Sequence, residues 1–192
     1  MVGASGQAAI VVPGRACGSC SLCCKLLRIA GLEKPNGIWC SHCKPGKGCQ
    51  IYESRPEECR DFHCAWLKSS DLGDVWYPLN SKMVVDVKGP WITVQVEPAY
   101  PTRWREEPYY SQFKNWSKLG VDKGVKVLVF IKNRLTVILP NKDLDLGEFN
   151  DNDHIMIGEV PTSGGSGARN WYAYIRKAED IPPEERGKSK FA

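Results

Sequence analysis

The chain has 192 residues, 42% apolar and 25% charged, with a formal net charge of +4. That balance is close to the globular average, so most of the chain is expected to pack around a core rather than stay disordered. No stretch approaches the roughly 18–20 apolar residues that cross a bilayer, which excludes a membrane-spanning helix.

The first fourteen residues carry no charge and only the five-residue apolar run Ala8–Val12. A secretory leader needs a basic start and a longer apolar stretch, so the expected location is cytoplasmic, with no membrane partner. Residues 15–68 form a cysteine-rich module. They hold Cys17, Cys20, Cys23, Cys24, Cys40, Cys43, Cys49, Cys59 and Cys64, all nine cysteines of the chain. In a reducing compartment that density favours metal over disulfides, and an odd number cannot pair fully within one chain. Adjacent Cys23 and Cys24 suit thiolates that serve different sites.

Cys17-Gly-Ser-Cys20 reads as a turn, with Gly18 relieving strain while two thiolates converge. Ser21–Ile29 has helical spacing, and Cys20, Cys23 and Cys24 are expected to share a face. Gly31, Pro35 and Gly37 then break the helix. Trp39-Cys40-Ser41-His42-Cys43 leads into the turn Lys44–Gly48. Ser54, Pro56 and Glu57 predict a capped helix running to about Leu67, which would set Cys59 and His63 at i, i+4.

From residue 69 to 180 the texture is β-rich. Met83–Val87 and Trp91–Val96 predict a hairpin around Lys88-Gly89-Pro90, and Val127–Ile131 with Leu135–Leu139 a second pair. Ile155–Val160 and Trp171–Ile175 predict two more strands around the loop Ser163–Gly167. Tyr109–Leu119 predicts a helix covering one face, and residues 181–192 a disordered tail. The expected fold is therefore α+β, a small helical cysteine-rich metal-binding module followed by a mostly antiparallel sheet domain with one covering helix.

Charge follows the cysteines. Residues 15–68 carry nine Lys/Arg against five Asp/Glu, and residues 69–192 carry 17 of each. A Zn²⁺ ion held by four thiolates has a net charge of about −2, which Arg15, Lys25, Arg28, Arg55 and Arg60 would offset. The basic residues are scattered and not interleaved with aromatics, so a nucleic-acid partner is not expected.

Zinc and iron–sulfur centres need about four soft ligands each, drawn from short local pairs. The string Cys17-x-x-Cys20-x-x-Cys23-Cys24, followed by Cys49-Gln-Ile-Tyr-Glu-Ser-Arg-Pro-Glu-Glu-Cys59-Arg-Asp-Phe-His-Cys64, supplies them. It resembles the YkgJ-like CxxCxxCC cysteine-cluster family over residues 17–67, with Cys40 filling the intermediate slot. The resemblance implies chelation of zinc or iron by Cys17, Cys20, Cys23, Cys24, Cys40, Cys49, Cys59 and Cys64. Flagellin lysine methylases resemble it in carrying the same cluster, which keeps an iron–sulfur centre in redox or methyl-transfer chemistry open. The eight thiols can form two four-ligand sites or one cluster with structural thiols, and the metal ion is the expected partner.

His42 and Cys43 stand outside the motif, Cys43 as a spare ligand or a buried thiol. The acidic run from Asp143 to Asp153 and the neighbouring His154 read as a solvated turn, since the spacing does not fit an EF-hand. Tyr100, Trp104, Tyr109, Tyr110 and Trp116 read as core packing rather than a ligand groove. No G-x-S-x-G, H-E-x-x-H or G-x-x-x-x-G-K-[ST] pattern occurs, so no catalytic residue is nominated.

Overall fold

The computed structural model describes residues 11–150, 152–161 and 169–185. The expected loop 163–167, Asp151 and most of the expected tail lie outside them. Helices and sheets are both present, and the class is α+β.

The centre is a five-stranded sheet of β3 (Met83–Lys88), β4 (Trp91–Val96), β5 (Lys126–Ile131), β6 (Arg134–Ile138) and β7 (Asp143–Glu148), in that order. All neighbours are antiparallel except β4 and β5. A parallel pair needs a crossover, and the connection supplies it through helix α5, Tyr109–Leu119.

The inner strands β5 and β6 alternate between two cores, as a period of two requires. On one face Val85, Ile92, Val94, Val96, Val127, Val129 and Ile138 pack with Trp76, Trp104, Tyr109 and Phe113. Trp76 meets Tyr109 edge-on at 5.1 Å and Phe113 at 5.6 Å between ring centroids; of the expected aromatic run Trp104 and Tyr109 are core, Tyr110 and Trp116 pack against it half-buried, and Tyr100 is exposed. On the opposite face Leu128, Phe130, Leu135 and Val137 pack with Ile155 and Trp171. Those last two come from a separate antiparallel hairpin, β8 (His154–Pro161) and β9 (Arg169–Arg176).

Two readings of this region change. Asp143–Glu148 is an edge strand, not part of a solvated turn. Leu144 and Leu146 pack toward the second core, while Asp143 accepts from Tyr110 Oη at 2.8 Å and pairs with Lys114 at 3.2 Å. Asp153 is buried, accepting hydrogen bonds from the Asn150 amide (2.9 Å), Lys177 Nζ (3.0 Å) and the Ala178 amide (3.2 Å). Its low pKa reflects those donors and Lys177 outweighing desolvation, the largest single influence. The packed chain also continues past residue 180, since Ile181 is 1% exposed.

The cysteine-rich segment docks at the start of β3. Leu22, Leu26 and Leu67 form a small core with Val84. Met83, Val84 and Val85 are consequently all buried, although β3 is an edge strand. Lys25 Nζ pairs with the buried Glu97 at 2.5 Å, just past β4.

Candidate metal centre

The module is built from very short elements: α1 (Leu22–Leu26), the hairpin β1 (Cys43–Lys44) and β2 (Gly48–Cys49), α2 (Glu57–Asp61) and α3 (Ala65–Lys68). The first CxxC is a tight turn in which the Cys20 amide donates to the Cys17 carbonyl at 2.8 Å. Gly18 sits at φ +53° there, the left-handed region that a side chain disfavours. Tyr77 Oη donates to the same Cys17 carbonyl at 2.9 Å, tying the turn to the body of the protein. Cys20 precedes α1, so it does not share a helical face with Cys23 and Cys24.

The expected single helix to Leu67 is two helices. Phe62 is extended at ψ 120°, and Cys64 occupies the N-cap position of α3 at ψ 160°. The first begins at Pro56 without a side-chain cap, so Ser54 and Glu57 form no capping box. Five residues along one helix would set Cys59 and Cys64 about 140° apart around the axis. The break lets both reach the same cavity. It also removes the helical spacing of Cys59 and His63, and His63 Nδ1 instead lies 3.1 Å from the Asp61 carbonyl oxygen.

That cavity measures about 510 Å³. Its wall includes Cys17, Cys20, Cys23, Cys24, Cys40, Cys49, Cys59 and Cys64, all eight residues of the motif, drawn from five short segments. Cys43, the ninth, is not on the wall. The thiols ring the space without converging: among the described residues, no three His, Cys, Asp or Glu side chains form a ready ligand set for one ion.

Burial sets the chemistry of these thiols. Desolvation pushes the Cys20 thiol up to about 11 and raises Cys17, Cys59 and Cys64. Cys24 is raised chiefly by its hydrogen bond with Cys23 and then by burial. Neutral thiols are favoured until a cation replaces the protons, which is the usual condition for a thiolate metal site.

Cations surround the cavity, though not quite the expected ones. Arg28, Arg55 and Arg60 lie on the wall with Lys47. Arg15 is committed elsewhere: it donates to the carbonyls of Trp66, Ser69 (2.7 Å) and Leu72 (2.7 Å), and its guanidinium lies 4.7 Å from the Trp66 ring. Lys25 is held by Glu97. Sequence reasoning overlooked Lys34, which is 6% exposed and donates to the carbonyls of Lys25 (3.0 Å), Leu27 and Pro35 (2.8 Å). Desolvation lowers its pKa, while nearby Cys40, Cys24, Cys23 and Cys59 pull it back up. Isolated between Glu33 and Pro35, it carried no motif signal.

A thiolate-bound metal fits this wall on one further count. Among the described residues, three buried side-chain nitrogens lack an acceptor, and two of them, Arg55 Nε and Trp66 Nε1, belong to wall residues. Buried donors without partners are costly, and metal-bound sulfur would offer acceptors. Comparison with known proteins adds nothing to the geometry: no family model, curated protein or solved structure matches the chain.

Proposed function

We propose that this protein is a cytoplasmic metal-binding protein that chelates zinc or iron through its cysteine module, as the resemblance to the YkgJ-like family implies. The observation that carries the reading is the gathering of all eight motif cysteines on one cavity wall. The ligands are Cys17, Cys20, Cys23, Cys24, Cys40, Cys49, Cys59 and Cys64. Arg28, Arg55, Arg60 and buried Lys34 offset the negative charge of thiolate-bound metal, and the aliphatic wall from Leu27, Ile29 and Leu67 limits water. A bound metal contributes folding free energy directly, so the module would be a metal-stabilised helical unit beside a self-sufficient sheet domain.

A second reading is an iron–sulfur centre serving redox or methyl-transfer chemistry. The acceptor-less Arg55 Nε and Trp66 Nε1 suit it as they suit thiolate-bound zinc, because hydrogen bonds to cluster sulfurs tune such centres. Protein purified without oxygen distinguishes the two. Colourless protein with stoichiometric zinc supports the first, and brown protein with acid-labile sulfide supports the second. Protein with neither metal bound refutes both.

A further inference from the structure

Cys43 lies outside the motif and off the cavity wall, yet it is 8% exposed and packed among motif thiols. Cys40 and Cys43 form one small core with Ile29, against which Cys24 and Cys59 pack. Cys20, Cys23 and Cys64 pack instead in the neighbouring core around Leu22 and Leu26. The adjacent pair Cys23–Cys24 is thereby divided between two groups, as residues about 100° apart on a helix should be.

The second group repeats the architecture of the first. The Cys43 amide donates to the Cys40 carbonyl at 3.0 Å, the same i to i+3 turn that joins Cys17 and Cys20. The Cys40 amide donates to the Cys24 carbonyl at 3.0 Å, fixing the turn against the end of α1. Cys24 packs directly against the core that Cys40 and Cys43 share. Buried Lys34 supplies positive charge beside Cys40, Cys24 and Cys59.

Cys49 is the competing candidate for the same group. It is the direct cross-strand partner of Cys43 in the β1–β2 hairpin. Directly opposed residues on an antiparallel pair point to the same side, so the hairpin offers either thiol. Only Cys43 belongs to the packed group with Cys40.

We propose that Cys43 is a metal ligand, completing a four-thiol set with Cys24, Cys40 and Cys59. The inference rests on the metal-binding reading above. The Cys40-x-x-Cys43 turn already places two thiolates on a short loop, the form zinc sites commonly take. Among the described residues the four thiols do not converge on one point, so closing the set requires movement of their side chains.

The test uses the full chain, reduced and reconstituted with Zn²⁺ alone. Cys43→Ser should hold one zinc fewer per chain than the wild type. Because Cys43→Ser could misfold, the wild-type chain is also alkylated with and without zinc and mapped by peptide mass spectrometry. Cys43 should gain protection on zinc binding, together with Cys24, Cys40 and Cys59. Undiminished zinc in Cys43→Ser, or alkylation of Cys43 at the same rate with and without zinc, overturns the proposal. A wild-type chain that takes up no zinc here, holds no iron when purified without oxygen and keeps all nine thiols reactive refutes the underlying metal-binding reading instead.

Discussion

Between Lys126 and Ile138, strands β5 and β6 bury side chains on both faces, against the aromatic layer on one side and the hairpin layer on the other. Between Arg15 and Lys68, the longest helix has five residues. Isolated helices below about 12–15 residues are marginal in water, so the second region cannot rely on its own secondary structure. It is tied instead by polar contacts: Arg15 on the carbonyls after α3, Lys34 on those at the end of α1, and Tyr77 on the Cys17 turn. The contrast teaches that one region is stabilised by apolar burial, while the other has a small core and a ring of thiols, to which the proposed metal would add stability.

The largest expected effect breaks that contrast directly. Stripping metal with a chelator should open residues 15–68 while the sheet persists. Hydrogen exchange should show the amides of α1, α2 and α3 losing protection and those of β4, β5 and β6 keeping theirs. Equal protection in both regions after chelation would contradict the account.

Next comes the sheet's own core. Phe113 is 0% exposed, and Phe113→Ala should cost about 3–5 kcal/mol through transfer and cavity terms. Denaturant unfolding measures the loss. Metal stoichiometry of the folded fraction should stay unchanged, which separates the two sources of stability.

The join between the regions should be more modestly sensitive. Glu97 is 6% exposed and holds Lys25 at 2.5 Å. Glu97→Ala leaves Lys25 without that partner and should cost about 1–3 kcal/mol. Proteolysis should then cut the cysteine module sooner than β4 and β5.

The gentlest test is pH. Burial lifts the Cys20 thiol from 9.0 to about 11. A raised folded pKa gives stability that is complete below 9.0 and lost as pH climbs toward about 11. Metal-free protein should therefore weaken over that window. Metal affinity should move oppositely, falling as the pH drops, because ligation displaces thiol protons. Flat profiles in both measurements would remove the titrating thiols from the account.

Much of this organisation was legible in the residues. Runs of β-branched and aromatic residues placed β3, β4, β5, β6, β8 and β9 within a residue or two, because such short runs bounded by turn residues admit few other arrangements. The cysteine spacing marked the module, and the resemblance to the CxxCxxCC motif picked out the eight cysteines that share the cavity. Strand β7 was missed because Asp is rare in strands, although the alternation of Asp143, Leu144, Asp145 and Leu146 was present. Its acids have partners: Asp145 meets Arg134 at 2.6 Å, and Asp143 meets Lys114. The break at Phe62 was also hidden, since no Gly or Pro marks it. Both misses arise from tertiary partners that a local pattern does not contain.

The most direct measurement is metal content per chain for protein purified without oxygen, paired with a count of thiols that react before and after chelation. The account predicts stoichiometric zinc or iron, with motif thiols becoming reactive only once the metal is removed. Metal at trace level, with all nine thiols reactive from the outset, would contradict it.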